Sequence, residues 1–96
     1  MITAKFTKKN DQIYWYKVTG HAGFANFGTD IVCAGISALY ISVTNTLLSF
    51  GRTFERDDGY FILDATDADN ACLQVIYDGI KDIAEQYPDN VEIVEE

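Results

Sequence analysis

Residues 31 to 50 carry no charge: among the apolar side chains there are only Ser, Thr, Asn and small residues. In a chain of 96 residues, of which 23% are charged, such a stretch fixes much of what can be built around it. Asp30 stands where a helix N-cap belongs and Gly51 where a helix closes, so the segment reads as one long helix running to about Phe50. A helix with no charged face must be buried on more than one side, and a domain of this size has little with which to cover both. Packing through a second copy of the chain, as a homodimer, is the simplest solution; masking by the chain itself is the alternative. The longest apolar run, Ile31 to Val43, is interrupted by Gly35 and Ser37 and falls short of the roughly 20 residues a bilayer demands, so no membrane segment is expected.

The flanking sequence supplies strands. Residues 2 to 8 alternate Ile2, Ala4 and Phe6 with Thr3, Lys5 and Thr7, and residues 13 to 19 are aromatic and β-branched, which predicts a hairpin through Lys9-Asn10-Asp11. Asp57-Asp58-Gly59 marks a tight turn in a second hairpin over 53 to 65, followed by a polar connection from Thr66 to Asn70. From about Asn70 to Gln86, Cys72, Leu73, Ile76, Ile80, Ile83, Ala84 and Tyr87 recur at helical spacing, with Asp78, Lys81, Asp82 and Glu85 opposite. Val91 to Val94 closes the chain as a strand. The expected fold is one α/β domain of the α+β type over residues 1 to 96: a two-layer sandwich in the order ββαββαβ, both helices on one face of a largely antiparallel sheet, strand order undetermined.

The formal charge of −8, with seven Lys and Arg in all, argues against direct nucleic-acid binding and suits a basic protein partner, although solubility alone also explains an acidic surface. The opening MITAKFTKKN lacks the apolar stretch of a signal peptide, so a cytoplasmic location is expected. Cys33 and Cys72 are then thiols, their spacing fits no zinc site, and no metal or cofactor is expected. Cys72, on the apolar stripe of the second helix, is read as core.

Chemistry concentrates between Gly20 and Ser37. Cys33 falls in the first turn of the uncharged helix, where N–H groups and the positive end of the helix dipole favour a nucleophilic sulfur. His21, the only histidine, ends the second strand, and the intervening loop is long enough to fold one residue back onto the other. By composition alone, a lone His and a lone helical Cys are more often structural than catalytic, since free Cys is commonly buried. The pattern Gly20-His21-Ala22, Gly28, Asp30-Ile31-Val32-Cys33-Ala34 and Ser37 resembles the ribosomal-processing cysteine protease (Prp) family, and the likeness covers essentially the whole chain.

That resemblance implies a thiol endopeptidase with His21 and Cys33 as the catalytic pair. It also implies dimers, and a substrate in the N-terminal extension of the bacterial large-subunit ribosomal protein L-twenty-seven, cut after an aromatic pair. Asp30 and Ser37 are possible supporting residues: Asp30 either orients the imidazole or caps the helix, and Ser37, one turn below Cys33, either polarises the site or bonds backbone. Gly20 and Gly28 bracket the loop as hinge positions. Phe24 and Phe27 either contact an aromatic substrate side chain or anchor the loop. The rival class is a noncatalytic ribosome-associated adaptor that grips a basic protein and uses Cys33 for packing.

Overall fold

In the computed structural model, which describes residues 1–26 and 30–96, seven elements follow in the expected order. They are β1 (Ile2–Lys9), β2 (Gln12–Gly20), α1 (Ile31–Ser49), β3 (Phe54–Arg56), β4 (Gly59–Phe61), α2 (Asp67–Gln86) and β5 (Val91–Glu95). The sheet order is β3-β4-β2-β1-β5; β1 pairs parallel with β5, and the other neighbours are antiparallel. The alternation read from β1 is realised: Ile2, Ala4 and Phe6 are buried beneath the helices while Thr3, Lys5 and Thr7 face outward.

Both hairpin turns have two central residues with positive φ, Asn10 (54°) with Asp11 (62°) and Asp57 (53°) with Asp58 (62°), as tight hairpin turns require. The second turn therefore centres on Asp57-Asp58, one residue earlier than an Asp-Gly turn would, and Gly59 opens β4. Glycine is needed there because a Cβ would run into the Tyr16 carbonyl and the Trp15 ring. This hairpin is shorter than residues 53 to 65, since each of its strands has three residues.

The segment from Thr66 to Asn70 is not a loop. Thr66 caps α2 in a capping box: its hydroxyl accepts from Asp69 N–H, and the Asp69 carboxylate accepts from Thr66 N–H. Asp69 is buried and also takes Arg52 in a two-pronged pair with Nη2 at 2.7 Å and Nε at 3.1 Å. Leu73, Ile76 and Ile80 then enter the core, with Phe6 meeting Tyr77 edge-on at 5.2 Å.

α1 and α2 lie side by side on one sheet face. Glycine permits the close approach, because a Cβ on Gly79 would strike Leu39. α1 sits over the β2 and β4 side, where Tyr40 meets Tyr16 and Tyr60 edge-on and Thr44 bonds the Tyr16 hydroxyl at 2.7 Å. Burial pushes both the Tyr16 and Tyr40 hydroxyls up to about 12. Val32, Ile36, Thr44 and Leu47 are buried, while Ile31, Ile41, Leu48 and the capping Phe50 are exposed. By length and composition alone α1, 19 residues with a mean hydropathy of 1.7 over an 18-residue window, is apolar enough to cross a membrane, a test that the core helix of a folded domain also passes. Here it forms half of the helical layer.

Candidate active site

The site lies where β2 ends and α1 begins. Gly20, at φ +92°, closes β2 against β1 so tightly that a Cβ would collide with the Met1 carbonyl oxygen. The next residue, His21, is exposed, and its imidazole makes no hydrogen bond among the described residues. The chain then turns through Ala22, which is buried, and Gly23, whose φ of +67° again suits glycine.

Asp30 holds the loop to the helix. Its Oδ1 accepts from Cys33 N–H at 2.9 Å, the N-cap bond, while Oδ2 accepts from Phe24 N–H at 3.1 Å and Ala25 N–H at 3.4 Å. The Cys33 N–H, helped by those of Ala25, Phe24 and Val32, outweighs burial and holds the Asp30 carboxyl below the usual carboxylate range. The backbone carbonyl of Asp30 meanwhile takes Ala34 N–H at 3.0 Å. Asp30 is thus a double clamp with no bond to His21, so its geometry is that of a cap. The Cys33 N–H, in the first turn where helix N–H groups lack intrahelical partners, is engaged by the Asp30 carboxylate, and the Ala34 N–H makes the first regular helix bond.

Two anchors from beyond α2 were invisible in the sequence. Asn90 donates from Nδ2 to the Ala22 carbonyl at 2.9 Å, and Tyr87 meets the Phe24 ring edge-on at 5.1 Å. Phe24 therefore anchors the loop, although it remains 45% exposed. A separation of 68 residues between Asn90 and Ala22 leaves no local signal; only the pairing of β5 with β1 brings them together. Phe27 and Gly28 lie outside the described residues.

Between loop and helix is a cavity of about 510 Å³ lined by His21, Gly23, Ala25, Asp30, Cys33, Ala34 and Ser37. Cys33 is half-buried, and Ser37 is exposed on the same helix face. Cys72 is half-buried, packs against the core from α2 and does not line this cavity. A thiol, an imidazole and a hydroxyl facing one cleft, with apolar walls from Ala25 and Ala34, make up a constellation suited to nucleophilic attack on a carbonyl.

Comparison with known proteins agrees. The family model for Cysteine protease Prp matches residues 1–92. The chain belongs to this family. A ribosomal processing cysteine protease Prp from Staphylococcus aureus is 30% identical over 97% of both chains. The Prp of Bacillus subtilis is 37% identical over 64% of this chain and 60% of its own. The crystal structure of a ribosomal processing protease Prp from S. aureus, in complex with a covalently linked product peptide, superposes with a TM-score of 0.85 over the full length of both chains at 24% identity. The chain is a cysteine protease of the Prp family, and the adaptor reading gives way to an enzyme.

Proposed function

We propose that this Prp-family protease removes the N-terminal extension of the large-subunit ribosomal protein L-twenty-seven in the cytoplasm, with Cys33 as nucleophile and His21 as base. The observation that carries the reading is the shared cavity: the chain's only histidine and one of its two cysteines, twelve positions apart, line a single cleft. The names of the relatives point to ribosomal processing, and the S. aureus relative carries a product peptide in covalent linkage.

In this mechanism the His21 imidazole accepts the Cys33 proton as sulfur attacks the scissile carbonyl. The tetrahedral adduct then collapses to a thioester and expels the amine, which takes the proton back from His21. Water, deprotonated by the same imidazole, hydrolyses the thioester and restores the thiol. Asp30 acts by fixing both ends of the cleft rather than by contacting the imidazole. Since it already engages the Cys33 and Ala34 N–H groups, the oxyanion is stabilised by other donors. Ser37 is placed to touch the bound peptide.

The working form is a homodimer packed through the exposed side of α1, where Ile41 (52% exposed), Leu48 (40%) and the adjacent Phe50 (75%) present apolar surface. A charge of −8 draws in a basic protein rather than nucleic acid. Mass spectrometry of the full-length ribosomal protein after incubation with the enzyme tests the reading. Loss of the extension after its aromatic pair, abolished in Cys33→Ala and His21→Ala, is expected; an unchanged mass refutes it.

A further inference from the structure

The sheet is incomplete beside the catalytic cleft. β4 pairs with β2 only at Trp15 and Tyr16, because the Asp57-Asp58 turn ends the second hairpin there. β2 continues for four more residues, Lys17 to Gly20, paired on its other side with β1 through the register Lys5↔Lys17 to Ile2↔Gly20. Among the described residues, nothing pairs with the outer edge of this stretch.

The direction of the backbone groups follows from the bonds that are made. On β1, Ile2 N–H donates to the Asn90 carbonyl and the Phe6 carbonyl accepts from Glu96 N–H, so its even residues face β5 and its odd residues face β2. Their partners Trp15, Lys17 and Thr19 then face β1, and Tyr16, Val18 and Gly20 face away from it. Tyr16 is met by β4, whereas the N–H and C=O of Val18 and the N–H of Gly20 point outward over the open edge. An open row of this kind is a template for another strand.

The helix above has the matching geometry. Cys33, Ser37, Tyr40 and Thr44 form one stripe of α1. Its far end rests on Tyr16 and Tyr60, so it overlies the β2 and β4 junction. From Tyr40 back to Cys33 is about 10 Å at 1.5 Å per residue, and from Tyr16 on to Gly20 is about 13 Å at 3.3 Å per residue. The two lines run antiparallel, which sets Cys33 and Ser37 over the stretch of β2 whose edge is open.

We infer that the substrate peptide binds as an added strand along Val18 and Gly20 of β2, in the line of β4, passing beneath Cys33 on its way to His21. This rests on the proposed peptidase function and deepens it, giving recognition by main-chain bonds with a two-residue period. Three protein groups take part: Val18 N–H, Val18 C=O and Gly20 N–H. Side chains alternate about the added strand, so residues one apart meet the α1 stripe and the outer face in turn.

A backbone N-methyl scan of a synthetic peptide spanning the ribosomal extension tests the inference. Methylation should lower kcat/KM tenfold or more at the one residue whose N–H meets the Val18 carbonyl, and less than threefold at the residues on either side of it. A flat profile, or equal losses at consecutive residues, overturns it. Amide exchange by NMR in Cys33→Ala supplies an arm independent of turnover: Val18 and Gly20 amides should exchange freely alone and be protected when the unmodified peptide is added. Protection without peptide would mean that a second copy or the chain itself fills the edge, and would overturn the inference, as would no change on adding peptide. If the unmodified peptide is not cleaved, the processing function fails, and the exchange data still decide whether an extended peptide pairs with this edge.

Discussion

Replacing Asp69 with Asn should weaken the fold by a predictable, pH-dependent amount. The carboxylate is buried, accepts Arg52 through Nη2 and Nε, and holds Thr66 N–H at 2.9 Å. Arg52, opposed by burial and helped by the Thr66 bonds, lowers its pKa from 3.8 to about 2. At about 1.4 kcal/mol per unit the full shift would be worth roughly 2.5 kcal/mol, and because the Arg52 side chain is 38% exposed solvent screening brings this to about 2 kcal/mol. The sign follows from the direction of the shift: a carboxyl with a depressed pKa in the folded state stabilises fully above its unfolded value and loses that contribution as pH falls. Asn keeps an oxygen for the Thr66 N–H but forfeits the charge. Urea denaturation followed by Trp15 fluorescence, at one fixed protein concentration, should show Asp69→Asn about 2 kcal/mol less stable at pH 7, with the gap closing between about pH 4 and pH 2. A loss that stays constant across that range would refute the pairing argument, as would a loss near zero at pH 7.

Other outcomes follow from the same contacts. Gly59→Ala should lower stability by about 2 kcal/mol or more, read as a fall in Tm, because the Tyr16 carbonyl and Trp15 ring must move. Asp30→Ala releases the loop from the helix, and kcat/KM should fall at least tenfold in a peptide assay while far-UV circular dichroism keeps its shape. Asn90→Ala frees the Ala22 carbonyl, and kcat should drop several-fold with little change in Tm, since Asn90 steadies the segment that carries His21. Light scattering should give a dimer mass for the wild type and a monomer mass for Ile41→Glu combined with Phe50→Glu; a wild-type monomer at micromolar concentration would remove the dimer.

Elements built from periodicity were legible in the sequence, because burial of one face writes itself into the spacing: Ile2, Ala4 and Phe6 in β1, and Leu73, Ile76 and Ile80 in α2. The uncharged α1 announced both its length and its exposed apolar side. The start of α2 was misread because Thr66 and Asp69 look like a polar linker until Arg52 supplies the charge that lets Asp69 be buried. The fates of the first-turn N–H groups of α1 were hidden for a related reason. Asp30 was recognisable as a cap, but its second oxygen gathers Phe24 and Ala25, a contact set by the path of the loop. Asn90 and Tyr87 act across the sheet, and strand order, which the sequence leaves open, decides that they meet the His21 loop at all.

The central claim is that Cys33, served by His21, is the nucleophile. A chloromethyl ketone built on the residues preceding the cleavage site alkylates whichever sulfur attacks, and tandem mass spectrometry locates the adduct. The account predicts one adduct, on Cys33 with Cys72 untouched, and a rate lowered by two or more orders of magnitude in His21→Ala. An adduct on Cys72, or labelling of Cys33 at the same rate without His21, would contradict it.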